Sequence, residues 1–565
     1  MPTPDALRTS RSHRLLRGLA LVSGAVGLVC ALIGGVGPGV VALWSFTVTA
    51  VALALVLPLP QALVSPLYMG VAGWLIDMLP FVILAGWSAV AVRWGVGLLR
   101  ERRLPRGGRW IWLPIFLVVW TALGVLVITS LDFKHFLLLL GIQVVASATV
   151  LMVVDSMSAR EDRTALAAGM VGLVVLFSVA VLLQWIGVPI EALQDSSARR
   201  RVEVAYGVDA FPNNIGMIKY ARSVNAGSLE LRRELARVAE DVPELPDFEV
   251  FRPKFQAYEN SLVVRFEGSA RDQAVALEDA GVELLFDNVG LAPANTVPRM
   301  RSFPRNALTY AGASAALLPF AFFLAWRPDE RRRLLGRAGV VACLFGAAFS
   351  LARGAWAAIV LGIVYLLVDG PIPRRYKRGV VAAFVAAAIV LTGTFLVKYR
   401  VDPLTGRAGG GASVNTRDDL YRETLGNLGG IYVLLGYGTE KPRTESGTVK
   451  EGTRYVPRAG THSTYLNYLF RTGVPGALAI LALYGIAVLH ARASAKTSEE
   501  EEERELSTAA AWAVVIAAAH AVILSLYVEP IYTLVVSAII GIAMAPAIGL
   551  PASVLPFRRA ARTRA

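Results

Sequence analysis

Two arginines and a histidine stand where an apolar chain has little reason to carry them. Arg353 interrupts SLARGAW between two apolar runs. A guanidinium stays protonated at any relevant pH and offers a rigid fork of donors that matches phosphate or carboxylate. At a membrane boundary a bare cation is costly unless paired or hydrated; an arginine whose head merely snorkels to the interface is the alternative reading. Arg417 lies in a Gly-rich polar segment, Lys398 to His462, that holds ten Lys or Arg against seven Asp or Glu. An anionic ligand accounts for that excess. His462 directly precedes the apolar run STYLNYLF, and an imidazole with an ordinary pKa of about 6.5 suits a general base at neutral pH, although a loop histidine is also commonly structural. His520 falls inside an apolar run, where a neutral ring bonded to a backbone carbonyl is the expected role. Tyr421, Trp356 and Trp44, near run ends, read as interfacial anchors or packing.

The elements that must position these groups are set by composition. Of 565 residues 55% are hydrophobic and 17% charged, against about 25% charged in a soluble domain, and mean hydropathy is +0.54. Apolar runs long enough to cross about 30 Å of hydrocarbon recur along the chain, with charges collected between them. The expected fold is an all-α polytopic membrane protein. The net charge of +14 sits mostly in short connectors, so topology explains it before nucleic acid does. Cys30 and Cys343 lie in apolar runs and form no metal or redox motif; no cofactor is implied.

The basic connectors RERRLPRGGR (100 to 109), RPDERRRLLGR (327 to 337), RRYKR (374 to 378) and the C-terminal FRRAARTRA should be cytoplasmic. One assignment puts them all on that side. It uses spans near 18–36, 39–58, 61–78, 79–98, 109–129, 133–154, 164–187, 306–326, 338–351, 354–369, 379–397, 465–490, 507–527 and 530–549, and so predicts 12–14 transmembrane helices. The basic N-terminus reads as leading into a retained first helix. The acidic run Glu499 to Glu503 reads as a solvated helix extension.

Five regions follow: N-terminal helices (1–187), an outer insertion (188–305), helices carrying Arg353 (306–397), a second outer loop (398–464), and C-terminal helices with a cytoplasmic tail (465–565). The insertion reads as a small α/β extracytoplasmic domain, with helices at 228–241 and from Ser269 to Gly281 and strands in SLVVRFE and VELLF. Its Arg199, Arg200 and Arg201 escape the charge rule as long translocated segments do. The second loop is polar, with weak periodicity, and looks functional.

Taken as a set, these features resemble the O-antigen ligase and polymerase family of membrane glycosyltransferases. LARGAW resembles a Ser-Arg-Gly-like turn that ends a span in the family, with Ala352 for the serine and Arg353 and Gly354 kept. TRDDLYRETLGNLGGIYVLLGYG resembles an outer-loop arginine four residues before an aromatic and a later Gly-x-Gly turn, giving Arg417, Tyr421 (tryptophan in most members), Gly436 and Gly438. THSTYLNYLFRTGVPG, with His462 and Tyr465, is similar to a His-Asn-x-Tyr-Leu segment with a Gly-x-Pro-Gly ending, Ser463 replacing the asparagine. RSFPRNALTYAGASAALLP is similar to an Arg, Phe and Asn-Pro-Asn opening and supplies Arg301 and Asn306. The resemblance covers roughly residues 299 to 480.

What the resemblance implies is transfer of a glycan from a polyprenyl diphosphate donor to an acceptor hydroxyl at the outer face of the cytoplasmic membrane. His462 would be the base and Arg353, Arg417 and Arg301 would neutralise the leaving diphosphate, with Asn306, Tyr421, Gly438 and Tyr465 supporting and no metal required. The partners are then a polyprenyl-diphosphate-linked glycan, a glycan or lipid acceptor and membrane lipid, and not nucleic acid. A polymerase of the same family uses the same donor. A transporter is the rival from another class and should show broken helices, inverted repeats and midplane charges. A third reading makes the insertion a sensor anchored by the helices.

Overall fold

Apolar runs without interior charge must close their backbone hydrogen bonds on themselves in lipid, which leaves the helix as the available element. The computed structural model describes residues 11–33, 36–76, 78–106, 108–128, 133–185, 215–219, 248–251, 261–266, 284–285, 307–350, 352–369, 378–379, 381–382, 385–386, 389, 425–426, 428–436, 448–451, 454–457, 463–523 and 529–545. Seven helices come first: α1 (Arg11–Ile33), α2 (Val36–Val56), α3 (Leu59–Leu75), α4 (Leu79–Glu101), α5 (Trp112–Ile128), α6 (Phe133–Ser156) and α7 (Arg160–Trp185). After the insertion come α8 (Ala307–Ala325), α9 (Glu330–Phe349), α10 (Arg353–Asp369), the single turn α11 (Tyr432–Leu435), α12 (Thr464–Thr497), α13 (Glu501–Ile523) and α14 (Pro530–Met544).

Seven of these are long and apolar enough to cross a membrane by length and composition. Four more, in α5, α6, α10 and α14, are apolar but shorter. The chain is therefore a multi-pass membrane protein, and the expected spans map onto these helices with shifted ends, except 379–397, most of which lies outside the described residues. Helix α9 starts at Glu330, well before the expected 338, because the Asp329 carboxylate caps it by accepting from the Arg331 and Arg332 amides. Proline at the first or second position starts α3, α4 and α14, where its missing N–H costs nothing.

Helix α8 lies at the centre, with 94% of its apolar window buried, while α1 is peripheral, with 17% buried. One continuous core joins α3–α10 and α12–α14, and a smaller cluster ties α1 and α2 to α3 and α4 through Ala31, Phe46, Ala50 and Val82. Lipid tails are as apolar as leucine, so close packing and buried hydrogen bonds hold such helices together. Ser178 of α7 bonds both the Tyr310 hydroxyl (2.5 Å) and the Ala342 carbonyl (2.9 Å), linking three helices at one point.

The basic-connector end carries an ion-pair layer. Arg160 meets Glu500 and Glu502, Arg163 meets Glu503, and Arg327 meets Glu502 and Glu505, so α7, the α8–α9 turn and α13 are tied together. The acidic run is accordingly not a merely solvated extension: Glu501–Glu503 form the first turn of α13, and the side chains of Glu503 and Glu505 are only 13% and 16% exposed. Nearby, the buried Asp155 carboxylate accepts from Arg103, the Trp94 indole and the Arg106 amide. Hydrogen bonds to Asp155, then to Glu101, hold the Arg103 guanidinium above its usual range.

Within the insertion the described elements are strands: β1 (Ile215–Lys219), β2 (Phe248–Phe251), β3 (Ser261–Phe266) and β4 (Leu284–Leu285), in the antiparallel order β2-β3-β1-β4. Ile215 faces Arg265, Phe248 faces Phe266 and Met217 faces Leu285. Strands β3 and β4 fall in the expected SLVVRFE and VELLF, but they do not pair with each other, because β1 lies between them. The expected helices lie outside the described residues, so an α/β domain is not established there. The second loop holds a hairpin of β5 (Thr448–Glu451) and β6 (Arg454–Pro457).

Candidate functional site

The run beginning STYLNYLF does not form one straight span from 465 to 490. Gly473 has φ 68° and ψ −173°, a conformation that L side chains rarely adopt, and Pro475 follows it. Helix α12 is therefore two arms, 464–472 and 474–497. The Tyr465 and Tyr484 ring centroids are 6.1 Å apart, whereas 19 residues of unbroken helix would separate them by about 28 Å. The short arm thus folds back along the long one, carrying Ser463 and Thr464 into the bundle.

The break is built by two glycines. A Cβ on Gly473 would lie 2.2 Å from the Leu434 carbonyl oxygen, and one on Gly436 (φ 69°) would lie 2.3 Å from the Arg471 carbonyl carbon. The turn α11 from the second loop therefore sits directly on the break, backbone against backbone. Three further bonds fix the short arm: Trp120 Nε1 donates to the Thr472 carbonyl (2.9 Å), the Tyr468 hydroxyl to Gln143 Oε1 (2.6 Å) and the Tyr465 hydroxyl to the Ala518 carbonyl (3.0 Å). At the arm's start Ser463 is extended and its hydroxyl accepts from the Leu466 amide, an N-cap. Asparagine is an equally good N-cap, which gives Ser463 and the family's asparagine one physical role.

Helix-to-helix contacts set the height of these groups. Ser494 and Ser507 bond near the ion-pair end, and Tyr465 reaches Ala518 eleven residues further along α13. At about 1.5 Å per residue this puts Tyr465 some 16 Å beyond the Ser494–Ser507 bond, toward the far end of the bundle. Gly312 packs on His520 and Tyr532 at a similar level, and Gly346 on Tyr310 and Ser314. Helix α10 starts at Arg353, just past the far-end turn of α9, and Gly362 packs against Ile516 and Trp512 nine residues further in. The Arg353 backbone and the short arm therefore occupy the same end, opposite the ion pairs. The positive end of the α10 dipole lies there too.

Of the residues expected to form the site, Tyr465 is placed with its contacts, and Arg353 is placed as the first residue of α10. Arg301, Asn306, Arg417, Tyr421, Gly438 and His462 lie outside the described residues. His520 is fully buried, but its partner is the Tyr532 hydroxyl at 3.0 Å from Nδ1, not a backbone carbonyl; Tyr532 is twelve residues on, across the α13–α14 connection. Trp356 donates to the Ala347 carbonyl and so packs the α9–α10 turn, while Trp44 is 60% exposed on the outside of α2. Gln143 and Trp120 were not singled out by sequence reasoning. Gly473 stands in the Gly-x-Pro-Gly ending, and Gly-Val-Pro inside an apolar run is a recognisable helix breaker.

Residues 338–481 match the family described as O-Antigen ligase. That segment, about a quarter of the chain, is what the protein shares with the O-antigen ligase family. The matched segment runs from within α9 to the long arm of α12, and so contains Arg353, Arg417, the α11 turn, His462 and the break. Its C-terminal end falls within a residue of the extent expected from the motifs. Its start falls after Arg301 and Asn306, so the RSFPRNALTY opening stands on the motif resemblance alone. No curated protein matches the chain.

Proposed function

We propose that the protein transfers a glycan from a polyprenyl diphosphate donor to an acceptor hydroxyl, as a metal-independent O-antigen ligase-like enzyme of the cytoplasmic membrane with its site on the outer face. The observation that carries this reading is the fold-back at Gly473: within the family segment it brings the residues next to His462 into the same end of the bundle as Arg353. The proposed sidedness draws on the charge rule, with Arg103 and Arg327 of two basic connectors lying at the opposite end. A topology of 12–14 crossings and a compact insertion over 188–305 belong to the same reading.

The acceptor oxygen attacks the anomeric carbon from the face opposite the diphosphate, forming the new glycosidic bond as the carbon–phosphate-oxygen bond breaks, with inversion. His462 takes the acceptor proton as general base. Arg353 and Arg417, with Arg301, neutralise charge developing on the leaving diphosphate, helped by the N-terminal end of α10. Asn306, Tyr421 and Gly438 shape the loops around them, and Tyr465 holds the arm. The bond energy of the donor drives the step.

The test is transfer by His462→Ala and Arg353→Ala proteins that fold and insert normally; transfer near the wild-type level in both would remove the assigned roles. A polymerase remains the second reading, since it takes the same donor. Accumulation of long lipid-linked chains after loss of the gene marks a ligase, and accumulation of single repeats marks a polymerase. The broken helix is a feature that a transporter would share. Lipid-linked glycan crossing the membrane with no new glycosidic bond is the outcome that would favour it.

A further inference from the structure

The short arm of α12 is fixed by bonds to residues that the matched segment does not contain. Gln143 is on α6 and Trp120 on α5, well before residue 338, and Ala518, which receives Tyr465, is on α13, after residue 481. Each of the three bonds constrains a different part of the arm: its start through Tyr465, its middle through Tyr468 and its end through Thr472. Beneath the arm lies a cavity of ≈ 50 Å³ whose lining includes Gln143, Ser147, Thr464, Tyr468, Tyr484 and Tyr532. The arm is buried in the bundle yet borders a small void on this side, so the bonds that grip it from neighbouring helices help to set its height.

Gln143 is 5% exposed and serves two partners, accepting from Tyr468 and donating to Ser147 at 3.3 Å. Loss of the Gln143 acceptor removes a short bond from the Tyr468 hydroxyl beside the cavity, and the arm would shift with it. Trp120 grips the last carbonyl before Gly473, the pivot of the fold-back, so its loss frees the hinge itself.

We propose that Gln143 and Trp120 are positioning residues for glycan transfer: they set the height and rotation of the arm that begins two residues after His462 in the sequence. The proposal rests on the transfer reading given above. It predicts an effect on turnover rather than on donor binding, because misplacing a reacting group by about 1 Å can cost 100-fold in rate.

The experiment uses full-length protein in nanodiscs, with the host's polyprenyl-diphosphate-linked glycan extracted as donor and its membrane lipids as the acceptor source. In Gln143→Leu, Gln143→Met and Trp120→Phe, kcat should fall by about 10- to 100-fold while the donor KM stays within about 3-fold. Tyr468→Phe combined with Gln143→Leu should lose no more than Gln143→Leu alone, because the two residues act as one unit. Trp87→Phe is the control. It removes the Trp87 Nε1 to Thr149 Oγ1 bond (2.9 Å) between α4 and α6, a bond of the same kind that does not touch the arm, and kcat per folded molecule should be unchanged.

Wild-type kcat in both the Gln143 and Trp120 variants overturns the proposal, as does an equal loss in Trp87→Phe, which would make the effect general to the bundle. A His462→Ala protein that transfers normally sinks the underlying reading. An inactive His462→Ala protein beside fully active Gln143 and Trp120 variants sinks only the positioning role.

Discussion

The two ends of the helix bundle are held by different chemistry. At the basic end, Arg103, Arg160, Arg163 and Arg327 are each answered by carboxylates. At the far end the bonds that fix the α12 arm are neutral, from tyrosine and tryptophan to an amide or a backbone carbonyl, and two glycines let backbones touch. Charges committed to one another hold helices and are poorly placed to engage a ligand. A neutral scaffold positions a site without drawing on the cations that an anionic donor needs. Arginine count is therefore a poor guide to a candidate site, and the end of the bundle on which an arginine lies is a better one.

The largest expected effect on stability is at the basic end. The Arg163 and Glu503 side chains are 4% and 13% exposed, and removing one partner of a buried pair leaves an uncompensated charge. Arg163→Ala should cost about 3–5 kcal/mol, read as a lowered thermal unfolding midpoint in detergent, with transfer per folded molecule unchanged. Transfer that falls in step with stability would show that the two ends are not functionally separate.

Next is Gly473→Ala, which strains the other end. A non-glycine residue held in a disfavoured conformation costs about 1–3 kcal/mol, and the added methyl meets the Leu434 carbonyl. Stability should fall less than in Arg163→Ala, yet transfer should fall by about 100-fold, since the arm can no longer turn as it does. The fold-back itself can be checked by replacing Tyr465 and Tyr484 with cysteine, in a protein whose Cys30 and Cys343 are removed. A short cross-linker should join them, and failure to join would restore a straight helix.

Much of this was legible in the sequence and some was not, for identifiable reasons. Helix positions followed from apolar length, because it is a property of single segments. Strands β3 and β4 were readable from β-branched runs, whereas β1 (IGMIK) has a glycine and a lysine and carries no alternation that marks it. The acidic run looked solvated since its partners, Arg160 and Arg163, are about 340 positions away in sequence. Gln143 was invisible for the same reason: its partner is 325 residues off. The Gly473 break was written in RTGVPG, but hydropathy averages across a glycine, so the arm and the span merged into one apolar run.

At the arm's start, Ser463→Ala removes an N-cap and should cost about 1 kcal/mol, while Ser463→Asn should be neutral in both stability and transfer. An asparagine variant that loses transfer would mean that Ser463 does more than cap.

The smallest expected effect isolates burial from charge. Arg160 and Arg163 are three residues apart at the start of α7 and pair with the same acidic run. The Arg160 side chain is 27% exposed and its partner Glu500 is 69% exposed, against 4% and 13% for Arg163 and Glu503. Water screens the first pair and not the second, so Arg160→Ala should cost no more than about 1 kcal/mol. Raising salt should shrink the Arg160 effect and leave the Arg163 effect largely intact, because buried pairs are screened far less. Equal losses in the two variants would mean that the acidic run acts as one delocalised counter-charge. In that case the basic end would be held by its total charge rather than by the particular pairs seen between α7 and α13.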